Sequence, residues 1–248
     1  MQYRHEWKHE ISVFDVLCLR IVGGTITVTA PSDTIHVNDS LHITGASLTL
    51  SAGDDALRSD TSIAILGGGI TVNSCSEGIE SPEIFIEDGD ITVTSTDDGI
   101  NACGTETADG SLPGVTINGG TVTLLNPSGR DADGIDSNGN IDINGGLVYI
   151  SLVGDGSNCA LDYGSENSGV CRINGGTVVA CGGSTMLETM SETSAQPSLL
   201  YAGPPKRRGR RLPCKLPTAR RFSPSPHPTA SLPCWSAAPR CSSAAPTP

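Results

Sequence analysis

The chain has 248 residues, a formal net charge of −12 and only 4% aromatic residues. No run approaches the roughly 20 apolar residues that a membrane-spanning helix needs, and the first residues lack the apolar run of a signal peptide. The nine cysteines are odd in number and form no CxxC pair, so neither a zinc site nor a redox motif is predicted.

Charge is divided unevenly along the chain. All 27 acidic residues lie between Glu6 and Glu192, and residues 1–195 hold only six Lys and Arg, which gives this part a charge of −21. Residues 196–248 hold no acid, nine Lys and Arg, and twelve of the 16 prolines. Two different kinds of sequence are therefore joined in one chain.

Residues 1–18 follow no repeated pattern and are predicted to be irregular. From Leu19 onward, a phrase of the form Ile-x-Ile-x-Gly-Gly-Thr-Val-Thr-Val recurs seven times. Each copy has two runs of alternating apolar and polar residues around a Gly-Gly pair or an acidic equivalent, which predicts strand, bend and strand. The copies are LRIVGGTITV, LHITGASLTL, IAILGGGITV, IFIEDGDITV, VTINGGTVTL, IDINGGLVYI and CRINGGTVVA.

A third short element follows most copies, first acidic and then apolar, as in SDTIHV, DDALRS, SEGIES, DDGINA and ADGIDS. Successive copies begin 21 to 31 residues apart. Three short strands within this length predict one coil of a parallel β-helix. Because a single coil cannot bury its own apolar face, about seven coils are expected to stack over residues 19–201.

Residues 202–248 are basic and rich in Pro, Arg and Ser, and no fold is predicted for them. Their composition is typical either of an out-of-frame translation of a GC-rich gene or of a disordered basic tail. This segment is the sole argument for a nucleic-acid partner, and we predict none.

The acidic elements are expected to form a column, because stacked coils place equivalent side chains about 5 Å apart. Two carboxylates at this distance repel by about 3 kcal/mol at an effective dielectric near 20, so the column needs a cation, protonation or outward splay. Calcium binds oxygens at about 2.3–2.6 Å, so that one ion would span two coils, whereas magnesium fits less well. The alternative is that tight turns alone demand these Asp, Asn and Gly residues.

The repeated phrases, the DDGIN, SEGIE and DGID turns, the NGGTVVACG run and the closing QPSLLY resemble a bacterial carbohydrate-binding β-helix family over residues 19–201. The resemblance implies a right-handed parallel β-helix of the pectate-lyase type that binds plant polysaccharide, cellulose or notably polygalacturonate, outside the cell or at its surface. It also implies calcium as the cofactor. Matching the family's acidic turns gives these ligand candidates: Asp54, Asp55, Glu77, Glu80, Asp97, Asp98, Asn101, Asp133 and Asp136. The first two coils, with SDTIH and DDALR, lack the Gly-Ile ending, which argues against a site there.

Two other functions remain open. A calcium-dependent polysaccharide lyase on the same fold would need an Arg or Lys base near the ion, and Arg130 is the strongest candidate, with Arg58 and Arg172 as two further arginines of the coils. A structural cell-surface solenoid is the second alternative. Non-catalytic binding is favoured over both.

Overall fold

A computed structural model gives the fold and describes residues 6–7, 11–13, 18–127, 132–153, 159–183 and 186–200. These residues are all-β, and the one helical segment among them is a 3-10 turn at Ser165–Asn167. The strands are β1 Glu6–Trp7, β2 Ile11–Val13, β3 Cys18–Ile21, β4 Thr25–Thr29, β5 Ile35–Val37, β6 Ser40–Ser51, β7 Leu57–Ser59, β8 Ser62–Ser74, β9 Ile79–Glu80, β10 Glu83–Ile86, β11 Asp90–Thr94, β12 Ile100–Ala102, β13 Gly114–Ile117, β14 Thr121–Asn126, β15 Ile135–Ser137, β16 Asn140–Ile143, β17 Leu147–Leu152, β18 Cys171–Ile173 and β19 Thr177–Cys181.

The strands form two sheets in which every pairing between described strands is parallel. The larger sheet has 13 strands and two arms that meet in β6 and β8, which run unbroken through the bend. Arm one holds β3, β10, β13, β16 and β18, and arm two holds β1, β4, β11, β14, β17 and β19. The smaller sheet, called the third sheet below, has the order β15-β12-β9-β7-β5-β2.

The repeat predicted from the sequence sets the register of arm one. The first residue of each phrase pairs with the first residue of the next, in the series Leu19, Leu41, Ile63, Ile84, Val115, Ile141 and Cys171. Each repeat therefore lies beside its neighbours in the chain, and the prediction of parallel, stacked β-structure is confirmed at this level.

The core lies between the sheets and is filled by the inward Ile, Leu and Val of every repeat. Leu41, Ile63, Ile84 and Ile141 are each 0% exposed. Burial of each such side chain contributes about 1.5–3 kcal/mol. The buried residues form one continuous cluster along the stack, as the alternating pattern requires.

The bend between the arms requires glycine and is reinforced by asparagine. Gly120 has a φ of +76°, and a Cβ there would lie 2.5 Å from the Gly89 carbonyl oxygen. Next to it, the Asn144 amide donates to Asn118 Oδ1 at 2.8 Å, and the Asn174 amide donates to Asn144 Oδ1 at 2.8 Å. These bonds join successive repeats outside the backbone ladder.

The ends of the chain are described only in part. The segment 1–18, predicted to be irregular, holds β1 and β2, which pair with β4 and β5. Residues 202–248 lie outside the described residues, so the division into domains stays a prediction. The described part of the chain contains no helix with the length and apolar character needed to cross a bilayer.

Candidate functional site

The third sheet carries two files of polar side chains, one on each side of its buried apolar residues. The strands pair in register through Ile35, Leu57, Ile79, Ile100 and Ile135. The leading file, two residues before each of these, is Asp33, Asp55, Glu77, Asp98 and Asp133. The strand file, one residue after each, is His36, Arg58, Glu80, Asn101 and Asp136.

The residue that lies between the two files must be small, because the backbones of neighbouring repeats approach each other closely there. Gly99 packs so tightly that a Cβ would lie 2.6 Å from the Gly134 carbonyl oxygen and 3.2 Å from Leu124. Gly78 is equally confined, with the Gly99 carbonyl oxygen at 2.3 Å from its ideal Cβ. The acidic-Gly-Ile motif thus combines a carboxylate, a steric requirement and a core residue.

Carboxylates of the leading file hold the backbone of the following repeat. Asp33 Oδ1 accepts the amide hydrogen of Asp55 at 3.1 Å, and Asp98 Oδ1 accepts that of Asp133 at 2.7 Å. Asp133 in turn accepts the amide hydrogen of Cys159. Turn chemistry therefore accounts for one oxygen of each of these acids, as the alternative interpretation of the acidic column supposes.

Two groups of carboxylates converge closely enough to share a cation. One oxygen from each of Asp33, Asp54 and Asp55 lies within 4.8 Å of the other two, and the same holds for Asp55, Glu77 and Glu80. Asp55 belongs to both groups and is 3% exposed. Donor sets of carboxylate oxygen alone suit calcium, which prefers oxygen ligands in a flexible arrangement.

A basic side chain lies against the second group. Arg58 Nη1 donates to Asp55 Oδ2 at 2.9 Å and to Glu80 Oε2 at 2.8 Å. In the repeat before it, His36 lies 3.5 Å from Asp33 Oδ2. Arg58 therefore partly offsets the charge of the second group.

Several carboxylates of the two files lose their protons less readily than a free acid does. Burial raises the pKa of Glu77 to about 7 and the pKa of Glu80 to about 8, and the neighbouring Asp55 raises both. Burial and neighbouring acids also raise the pKa of Asp98 to about 8 and that of Asp136 to about 6. Holding these groups together in their charged form therefore costs free energy unless a cation or a proton offsets the charge.

The structure places four of the nine predicted ligands in the two convergent groups. Asp54, Asp55, Glu77 and Glu80 lie in the two convergent groups. Within the described residues, Asp97, Asp98, Asp133 and Asp136 belong to no group of three acids that meets the same distance. The Asn101 amide donates to Glu77 Oε2 at 3.0 Å and thus orients a carboxylate of the second group.

Two residues were missed by the sequence reasoning. Asp33 was left out of the ligand candidates, which were taken by match to the family's acidic turn motifs, yet it completes the first group. Its position two residues before Ile35 was the available signal, since the same offset locates Asp55 and Glu77. Arg58 was considered only as an elimination base, and its ion pairs were not anticipated.

Comparison with known proteins gives one family. The model of a family described as "Carbohydrate-binding domain-containing protein" matches residues 5–156 and again residues 56–198. Overlapping matches are expected of a chain built from repeats. No curated protein and no solved structure matches this chain.

Proposed function

Because the chain belongs to the family of carbohydrate-binding domain-containing proteins, we propose that it binds an acidic plant polysaccharide through calcium and catalyses no reaction. Polygalacturonate, the polyuronate of pectin, is the ligand we favour. The family membership carries the carbohydrate part of this proposal, and the convergence of Asp55, Glu77 and Glu80 carries the calcium part.

The proposal extends to the form of the scaffold. Three strands per repeat, parallel pairing throughout and a continuous apolar interior support a right-handed, single-stranded parallel β-helix of about seven coils, similar to pectate lyases. In such a helix both polar files of the third sheet would run along one side, parallel to its axis.

Calcium is supported by the chemistry of the residues present. Asp33, Asp54 and Asp55 would hold one ion, and Asp55, Glu77 and Glu80 would hold another or compete for the same one. When bound, calcium would supply positive charge to these clustered carboxylates beyond what Arg58 already gives. The raised pKa values of Glu77 and Glu80 are what is expected of an acidic site in the absence of its cation.

The overall charge favours an ion-bridged complex. Residues 1–195 carry −21 and would repel a polyuronate, which is itself an anion. A divalent ion shared between protein and uronate carboxylates reverses the sign locally. Calcium would therefore be needed for attraction as well as for the shape of the site.

Two of the described arginines, Arg58 and Arg172, argue against a lyase. Burial lowers the pKa of Arg58, but the hydrogen bond to Asp55 and the charge of Glu80 outweigh it and raise the pKa above its ordinary value. Arg172 is held by Asp142, with Nη1 at 2.9 Å from Oδ1 and Oδ2. Neither is suited to accept a proton, and the predicted candidate Arg130 lies outside the described residues.

An acidic plant polysaccharide is met outside the bacterial cell, so we propose an extracellular or cell-surface location. The test is retention of the full chain on polygalacturonate in calcium, in magnesium and in chelator. We expect retention in calcium alone, and loss of retention in the double variant Glu77→Gln with Glu80→Gln. Asp90→Asn, an exposed acid on arm two, is the matched control and should behave as the parent.

Three results would contradict the proposal. Retention that persists in chelator would remove calcium from it. Release of unsaturated uronide, read by its ultraviolet absorbance, would replace binding by lyase activity. Calcium-dependent stabilisation of the fold without retention on any glycan would instead favour a structural solenoid.

A further inference from the structure

The last strand of arm two, β19, forms an open edge of the larger sheet. Among the described residues, those of β17 alone pair with it. Other edges of the same sheet have a cover. Segment 191–196 lies along β18, where the Ser191 amide donates to the Cys171 carbonyl oxygen at 2.7 Å. At the other end of arm two, β4 pairs with β1.

The open edge presents the backbone groups of two residues. The Thr177 amide donates back along the stack, to the Gly146 carbonyl oxygen at 2.9 Å. Because the backbone groups of successive strand residues point to opposite sides, the N–H and C=O of Val178 and Ala180 point away from β17. No hydrogen bond between described residues outside the pairing with β17 uses these four groups. Edge strands that stay unpaired usually carry a charge, a proline or a bulge, and Thr177–Cys181 has none of these.

The apolar core is also exposed at this strand. Val178 and Ala180 pair with Val148 and Ile150 and occupy the same inward positions. Val148 and Ile150 are each 0% exposed, whereas Val178 is half-buried and Ala180 is exposed. The edge therefore offers apolar surface together with unpaired backbone groups, which is what an added strand would cover.

The strands at this edge carry no charge, which bears on the kind of partner that fits. Neither β17 nor β19 contains an acid or a base. Two copies of the protein, each with −21 over residues 1–195, can therefore bring these strands together without placing carboxylates in contact. A basic partner would find no acid on either strand to pair with.

We propose that two copies of this protein associate through β19, paired antiparallel about a two-fold axis. A register centred on Val179 sets Val178 of each copy opposite Ala180 of the other, so that all four free groups of each copy form hydrogen bonds. A register centred one residue earlier would set Ala180 opposite Gly176, whose φ of +77° is not that of a strand. A register centred one residue later would set Val178 opposite Gly182, which lies beyond β19.

This association does not rest on the proposed calcium-dependent binding, because none of the candidate ligands lies on β17 or β19. The first test is sedimentation equilibrium of the full chain over a concentration series, with and without calcium. Proline at position 180 removes an outward N–H and leaves the pairing with β17 intact. Ala180→Pro should therefore weaken the dimer by roughly tenfold or more, since two of its four hydrogen bonds are lost. Val22→Ser, which removes a 68% exposed apolar side chain of the first repeat, is the control and should leave association unchanged.

Disulfide trapping tests the register. In the proposed pair, Thr177 of one copy lies opposite the exposed Cys181 of the other, at a Cα separation of about 4.5 Å that a disulfide can bridge. Within one copy these two positions are about 13 Å apart along the strand, which is too far. Thr177→Cys should give a covalent dimer with oxidised glutathione, and the added change Cys181→Ser should abolish it. Thr121→Cys, on β14, is the matched control and should give no more covalent dimer than the parent.

Three outcomes would overturn the proposal. One is a parent protein that stays monomeric at every concentration. Another is an Ala180→Pro variant that keeps its melting temperature and associates as tightly as the parent. The third is a Thr177→Cys variant that forms no covalent dimer through Cys181, and this result decides alone if Ala180→Pro fails to fold.

Discussion

Replacement of Arg58 by Gln separates a calcium site from a purely structural cluster. In the parent protein, one nitrogen of Arg58 lies 2.9 Å from an Asp55 oxygen and 2.8 Å from a Glu80 oxygen. A calcium ion bound by the same carboxylates would be held close to this guanidinium. At about 5 Å and an effective dielectric near 20, a divalent and a univalent cation repel by about 7 kcal/mol.

Solvent reduces that repulsion, because the Arg58 side chain is 38% exposed. A discounted value of about 2 kcal/mol corresponds to roughly 30-fold in affinity. We therefore expect Arg58→Gln to bind calcium more tightly than the parent. In chelator, the same variant leaves Asp55 and Glu80 without their shared partner, which should lower the melting temperature by about 5 °C.

The assay is thermal melting of parent and variant across a calcium titration, starting from chelator. Arg172→Gln is the matched control, since this side chain is 35% exposed and pairs with Asp142 on arm one. It should lower the melting temperature equally with and without calcium. If the two variants respond to calcium alike, no ion is held by Asp55 and Glu80, and the electrostatic reasoning fails.

Three other predictions concern the fold. In chelator, the free energy of unfolding should fall as pH rises from about 4.5 to about 8, because Glu80 ionises in the unfolded chain near 4.5 but in the folded chain only near 8. Urea titrations at several pH values would measure the fall, and Glu80→Gln should make it shallower without abolishing it, since the pKa values of Glu77, Asp98 and Asp136 are raised as well. Gly99→Ala should destabilise the protein by about 2 kcal/mol or more, because its Cβ would meet the Gly134 carbonyl oxygen at 2.6 Å. Gly23→Ala, with no atom within 4 Å of its Cβ, is the control, and chemical denaturation that gives equal losses for both would contradict the packing argument. Asn144→Ala should cost about 1–2 kcal/mol in the same assay, because it breaks two bonds of the asparagine series, and no loss would mean that water replaces them.

Local pattern was sufficient to predict how the repeats align. Phrase starts such as Ile63 and Ile84 carry the same apolar side chain at the same offset from a bend, and they pair in the structure. A slip of one residue would expose every inward Ile, so the apolar pattern fixes the register by itself. The column of acids follows from that register without further information.

The partners of individual side chains did not follow from the pattern. Arg58 is near Asp55 in sequence, but its contact with Glu80 crosses between repeats and depends on side-chain conformation. The packing of the segment that carries Leu112 beside Gly114 was not predicted either, because an insertion of irregular length contains no periodic signal. Asp33 was left out of the candidates for a simpler reason. The candidates were chosen by match to a turn motif, whereas the offset of Asp33 from the buried Ile35 would have included it.

Pairing between neighbouring repeats alone has a consequence for how the chain folds. Partners in arm one are 22 residues apart at Leu19 and Leu41, and 31 apart at Ile84 and Val115. The loop that must close to form each new contact therefore stays short however many repeats follow, and its entropic cost grows only with the logarithm of its length. Folding is expected to nucleate within a few adjacent repeats and to advance along the chain, so its rate would depend little on the total number of repeats.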